Sequence, residues 1–198
     1  MGTEGRELAP HQAAGRLLAS LAGDPQALSQ RGLASQTGLP VETIETALEW
    51  LGGLDLIQED ASHRHRLDEG RLRGHRDRFH LLLHIEPDPG VSSFCHVLLA
   101  ESGYPSVGFE DSSIARRALD SVEFDLAVLC ASNRSLTEYL EQEADLLRRL
   151  PPAPVILYGA EEIESPPFVD FVAASLPGPL RGDVLLAAVQ ALLPAERR

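Results

Sequence analysis

Apolar and polar positions divide the chain into two stretches of different period, meeting near residues 68–79. In the first stretch, Leu17, Leu18 and Leu21 mark one face of a helix over about residues 10–22. Gly23-Asp24-Pro25 ends it, because a proline ring disfavours helical geometry in the residue before it. Ser29 is placed to cap a short helix carrying Leu33 and Ala34, which stops at Gly38-Leu39-Pro40. A third helix over residues 41–51 carries Ile44, Ala47, Leu48 and Leu51 on its apolar face. Residues 54–58, a polar turn at 59–62 and residues 63–67 then predict a small hairpin.

From Phe79 onward, apolar runs of strand length alternate with amphipathic stretches, the pattern of βαβ units on a parallel sheet. Strands are predicted over residues 80–85, 106–109, 124–129 and 154–158, with a weak fifth over 175–177. The intervening helices are a segment bearing Phe94, Val97, Leu98 and Leu99, then residues 114–122, then one long helix over 136–150. That long helix has a core stripe of Leu136, Leu140, Leu146, Leu147 and Leu150, and a solvated face of Glu138, Glu141, Glu143 and Asp145. A short helix over 168–174 starts behind Pro166-Pro167, and residues 183–193 close the chain as a helix. Ser92-Ser93 and Ser112-Ser113 are expected as helix N-caps. The fold class expected is α/β. Residues 1–67 form an N-terminal unit of three helices and a hairpin, 68–78 an Arg/His-rich linker, and 79–198 a doubly wound five-stranded parallel sheet.

Three helices followed by a hairpin, with Arg31 to Leu39 as a helix and tight turn, resemble a winged helix-turn-helix domain. The resemblance implies that residues 41–51 are the recognition helix and that Leu54-Asp55-Leu56-Ile57 enters the wing. Five βα units, with Glu86 after the first strand, Gly103-Tyr104 before the second and Gly178-Pro179-Leu180 before the last helix, resemble the receiver domain of two-component response regulators. That family accepts a phosphoryl group on an aspartate, with Mg²⁺ held by acidic residues and with a hydroxyl and a lysine nearby. The resemblance puts the acidic pair on Glu86 and Pro87, with Asp88 next. It puts the phosphoacceptor on Cys130, the hydroxyl on Gly159 and the lysine on Gly178. Mg²⁺ requires hard oxygen ligands, which a thiol, a proline ring and two glycines cannot supply. The expectation is a degenerate phosphorylation site, no enzymatic activity, and no metal or cofactor.

Composition refines this picture. The formal charge is -13 over 198 residues: residues 1–78 hold 12 acids against 9 arginines (-3), and residues 79–198 hold 18 against 8 (-10). A field of that sign opposes nonspecific nucleic-acid binding by the C-terminal part. All 17 cationic side chains are arginine, from which no function is drawn. No apolar run is long enough for a membrane span, no signal peptide is visible, and Cys95 and Cys130 are too few for a disulfide framework. A cytoplasmic protein is expected.

Two charge features compete in the N-terminal unit. Glu42, Glu45 and Glu49 form an acidic stripe on the third helix, interrupted only by Thr43 and Thr46, where a recognition helix would meet DNA. Residues 63–80 hold Arg64, Arg66, Arg71, Arg73, Arg76 and Arg78 against Asp68, Glu69 and Asp77, with four histidines interleaved. Thr43, Thr46, Arg64, Arg66, Arg71 and Arg73 are candidate contacts to DNA or to a protein partner, the arginines gripping phosphates or an acidic surface. His63 and His65 read as surface histidines rather than metal ligands. Phe168 and Phe171, in an apolar cluster, are candidate contacts of a homodimer. The leading expectation is a phosphorylation-independent transcriptional regulator that binds DNA through wing and linker. The alternative is a protein-interaction adaptor whose acidic helix and receiver-like unit bind protein partners. A redox switch at Cys130 is a third reading.

Overall fold

The structure, a computed structural model, describes residues 8–24, 26–67, 79–131, 134–150, 153–160 and 172–193. Its N-terminal unit runs α1 (Pro10–Ala22), β1 (Leu28–Ser29), α2 (Gln30–Thr37), α3 (Val41–Gly53), β2 (Ile57–Glu59) and β3 (Arg64–Leu67). The strands form one antiparallel sheet in the order β1-β3-β2. Ser29 caps α2 by accepting from the Gly32 backbone N–H at 3.2 Å, and Gly38 ends it in the left-handed region at φ 71°. On α3 the i, i+3, i+4, i+7 set Ile44, Ala47, Leu48 and Leu51 is buried, as the periodicity predicts.

The C-terminal unit runs β4 (Leu82–Ile85), α4 (Pro89–Glu101), β5 (Ser106–Phe109), α5 (Ser112–Ala118), β6 (Leu126–Cys130), α6 (Leu136–Gln142), α7 (Ala144–Arg149), β7 (Val155–Ala160), β8 (Val172–Pro177) and α8 (Gly182–Leu192). Its five strands are parallel in the order β5-β4-β6-β7-β8. Counted within this unit the order is 2-1-3-4-5, the doubly wound arrangement of flavodoxin-like and receiver proteins. Strand period two splits the core. Leu81, Leu83, Val107, Phe109, Ala127, Leu129, Val155 and Leu157 face one side, with α5 and α7. Leu82, Leu126, Val128, Ile156 and Tyr158 face the other, with α4 and α8.

Helix α1 joins the two units. Its Leu17 and Leu18 belong to the same buried cluster as Ile44 and Leu51 of α3 and as Val107 and Phe109 of β5. Two glycines make the approach possible: a Cβ on Gly15 would lie 2.0 Å from the Gly108 carbonyl oxygen, and one on Gly108 would lie 2.3 Å from His11 Cδ2. His11 Nε2 hydrogen-bonds Ser92 Oγ at 2.7 Å, Gln12 Nε2 donates to the Glu86 carbonyl at 2.8 Å, and Arg16 pairs with Glu110. The edge strand β5 is thereby covered by a helix from the other unit.

Several expectations are corrected. Residues 172–174 are strand, not helix, because they pair with β7 from Val155 onward. The long helix over 136–150 is two helices broken at Glu143 (φ -101°, ψ 12°); that carboxylate turns inward toward Arg116 at 3.5 Å rather than facing solvent. Asp88 and Asp111, not the serine pairs, cap α4 and α5, since each aspartate precedes its helix and accepts two backbone N–H bonds. Ser92 is instead buried against His11. Phe94 and Val97 lie on the exposed side of α4, whose buried residues are Ser92, Cys95 and Leu99. His65 is buried, because alternation along β3 turns it inward between exposed Arg64 and Arg66.

Candidate functional site

In an open parallel sheet, ligands sit outside the carboxyl ends of the strands, where the strand order reverses. Glu86 follows β4, Cys130 ends β6, Gly159 lies near the end of β7 and Gly178 follows β8, so the sheet brings these positions to one edge. Gly159 and Gly178 are close, a Cβ on Gly178 falling 3.7 Å from Gly159 Cα.

The side chains present do not suit Mg²⁺. Glu86 is buried, and both its carboxylate oxygens are engaged: Oε2 accepts from the Tyr158 hydroxyl at 2.5 Å and Oε1 from the Asp88 backbone N–H at 2.7 Å. Pro87 is exposed and has no donor atom to offer. Asp88 Oδ1 accepts from Gly90 and Val91, fixing the start of α4. Cys130 is half-buried, and its soft sulfur is a poor ligand for a hard cation. Among the described residues no group of three histidines, cysteines or acids is arranged to hold a metal.

Tyr158 and His84 were not singled out by sequence reasoning, yet they organise this cleft. Period two puts both on the α4/α8 side, where His84 Nε2 meets the Tyr158 hydroxyl at 3.0 Å. Burial, reinforced by the Glu86 carboxylate, raises the Tyr158 hydroxyl far above its ordinary value, so it remains a donor. Burial pushes the His84 imidazole down to about 3, keeping it neutral. The Cys95 thiol is pushed up to about 12, mainly by burial. A strand tyrosine two positions beyond Ile156, in phase with His84, was the available signal.

The second candidate surface is α3 with the hairpin. Glu42, Glu45, Thr46 and Glu49 are exposed and Thr43 is half-buried, so the acidic stripe faces solvent. Arg64 and Arg66 point outward from β3, and Arg66 donates to Gln58 at 3.2 Å. Arg71, Arg73, Phe168 and Phe171 lie outside the described residues. Thr46, Glu49 and Trp50 of α3 share a cleft with Ser93, His96 and Val97 of α4, floored by Pro10 and His11 of α1. The His11 and His96 rings stack at 4.5 Å, and Trp50 meets His96 edge-on at 4.7 Å. Burial is the main cause lowering both imidazoles, His11 to about 3.

No family model matches the sequence, and no curated protein matches it. Solved structures do. A receiver domain of a response regulator from Methylobacillus flagellatus is 16% identical, covering 58% of this chain and 99% of its own, at a TM-score of 0.49. One from Methanospirillum hungatei JF-1 is 15% identical over 57% and 92%, at 0.45. The receiver domain of a sensor histidine kinase from Pseudomonas aeruginosa PAO1, with magnesium in its active-site cleft, is 15% identical over 58% and 97%, at 0.47. The fold assignment rests on the strand order and register described above.

Proposed function

We propose that this chain is a non-enzymatic signalling regulator in which a phosphorylation-independent receiver-like unit is packed onto a winged-helix unit that binds a protein partner. The observation that carries the reading is the outward face of α3. Glu42, Glu45 and Glu49 are all exposed there, and α3 contains neither lysine nor arginine. A helix laid into a major groove approaches phosphates from both sides, and three carboxylates without a compensating cation oppose that approach. The wall formed by α4 beside the same helix further narrows the room for a duplex. Loss of phosphoryl chemistry is supported by the Glu86 carboxylate being committed to Tyr158 and Asp88, with a thiol in the acceptor's place. Such transfer depends almost wholly on positioned charge, so it does not survive that rearrangement.

A second reading, transcriptional regulation through DNA, is favoured by the exposed Arg64 and Arg66 on β3. Gel shifts with genomic fragments at about 0.15 M salt separate the two. The protein-binding reading expects no sequence-selective complex. Selective binding abolished by Arg64→Ala with Arg66→Ala overturns it in favour of DNA. In parallel, acetyl phosphate or beryllofluoride with Mg²⁺ is expected to leave mass and melting temperature unchanged. A Mg²⁺-dependent adduct in the Asp88/Cys130 cleft overturns the phosphorylation-independent part.

A further inference from the structure

The cleft between α3 and α4 sets an acidic helix face beside an apolar lining. Its α3 wall is Thr46, Glu49 and Trp50, extended one turn back by Glu42 and Glu45 through the i, i+4 rows of the helix. Its α4 wall is Ser93, His96 and Val97, with Pro10 and His11 of α1 between the two walls. Val97 is 53% exposed on this wall, whereas the Phe94 ring turns toward Gly182 at the start of α8, away from the cleft. The cleft has a volume of about 530 Å³. Neither α3 nor α4 carries a lysine or arginine, and the Arg16 of α1 is paired with Glu110, so among the described residues the charge on the two walls of the cleft is acidic.

We infer that this cleft docks an amphipathic helix of a partner protein whose apolar residues seat against Pro10, Trp50 and Val97 and whose lysines or arginines meet Glu42, Glu45 and Glu49. The inference rests on the protein-binding reading and names the partner's chemistry. Charge complementarity selects this occupant. A nucleic acid repels the glutamates, and a second copy brings the same acidic walls within a net charge of -13. An apolar lining and an acidic edge suit the anchor spacing of a helix in a groove, with apolar side chains every three to four residues and cations on the flank.

Trp50 is the single tryptophan of the chain, so its emission reports occupancy directly. The probes are three synthetic peptides of about 16 residues: leucines and lysines at helical spacing, the same composition scrambled, and the first with glutamate for lysine. The spaced lysine peptide is expected to shift the Trp50 emission with a Kd on the order of 10 μM, the scrambled peptide about tenfold more weakly, and the glutamate peptide not at all. Val97→Ser weakens the spaced peptide about tenfold. Glu45→Gln with Glu49→Gln weakens it about threefold, less at high salt. These side chains are exposed, so an unchanged melting temperature is the check that the variants fold. No response to any peptide, or equal binding of the scrambled one, overturns the inference. Weakening by the glutamate changes with none by Val97→Ser also overturns it, while leaving the acidic-face reading intact. Displacement of the peptide by duplex DNA overturns both. Self-association that Val97→Ser abolishes makes a second copy the occupant and overturns the inference.

Discussion

Gly15→Ala tests the α1–β5 contact because helix propensity and packing predict opposite signs. In a helix without close neighbours, alanine stabilises relative to glycine by about 1 kcal/mol. Here the new methyl would lie 2.0 Å from the Gly108 carbonyl oxygen and 2.9 Å from Phe109 Cδ1. The carbonyl belongs to a strand held in the β4 ladder and cannot rotate away as a side-chain tip could. An ordinary contact of about 3.4 Å therefore requires α1 and β5 to part by about 1.4 Å, an overpacking that costs about 3 kcal/mol. The same shift stretches the His11–Ser92 bond from 2.7 Å and the Gln12–Glu86 bond from 2.8 Å, for about 1 kcal/mol more. Against the helical gain, the net destabilisation is about 3 kcal/mol. With a urea m-value of about 2 kcal/mol/M, the unfolding midpoint falls by about 1.5 M. Gly52→Ala is the control. It lies in α3 with nothing within 4 Å of its Cβ, and its midpoint is expected to rise slightly. A Gly15→Ala protein as stable as the wild type would refute the reasoning, since α1 would then have room that the packing denies it.

Tyr158→Phe removes the donor to Glu86 Oε2 and the partner of His84 Nε2. It is expected to lower stability by about 2 kcal/mol in urea unfolding, and an unchanged midpoint argues against the buried network. His11 and His84 are held neutral in the folded chain, with pKa values lowered from 6.5 to about 3, whereas the unfolded chain protonates them below about 6.5. Their contribution to stability is therefore complete above about pH 6.5 and is lost as pH falls toward about 3, each histidine adding on the order of 1 kcal/mol per pH unit. In His84→Gln the acid limb of the stability–pH curve, from equilibrium unfolding, is shallower by one proton; an unchanged slope contradicts the assignment. In the folded chain a thiol reagent is expected to reach half-buried Cys130 before Cys95, which is fully buried and held protonated; mass mapping after a short pulse reads the order.

Local pattern alone fixed most elements. Apolar runs of strand length along 80–85 and 124–129, and the i, i+3, i+4, i+7 set on α3, are signals a residue carries with its near neighbours. They gave the alternation of strand and helix and the Ser29 cap, whereas the degenerate site at Glu86, Pro87 and Cys130 is what the receiver resemblance implies. What failed were properties decided by what lies across the fold. Ser92 looks like a helix cap in sequence, but Asp88 is one turn earlier and His11, eighty-one residues away, takes its hydroxyl. Phe94 and Val97 look like a core face, but α4 turns Cys95 and Leu99 to the sheet instead. Residues 172–174 look helical, and only the partner strand β7 makes them extended. The cleft of Trp50, His96 and Val97 has no local signature at all, because its walls come from different units and are brought together by α1 resting on Gly108. Sequence determined which segments hide an apolar face. Tertiary structure decided which faces meet, because burial is a property of pairs of surfaces and not of either one alone.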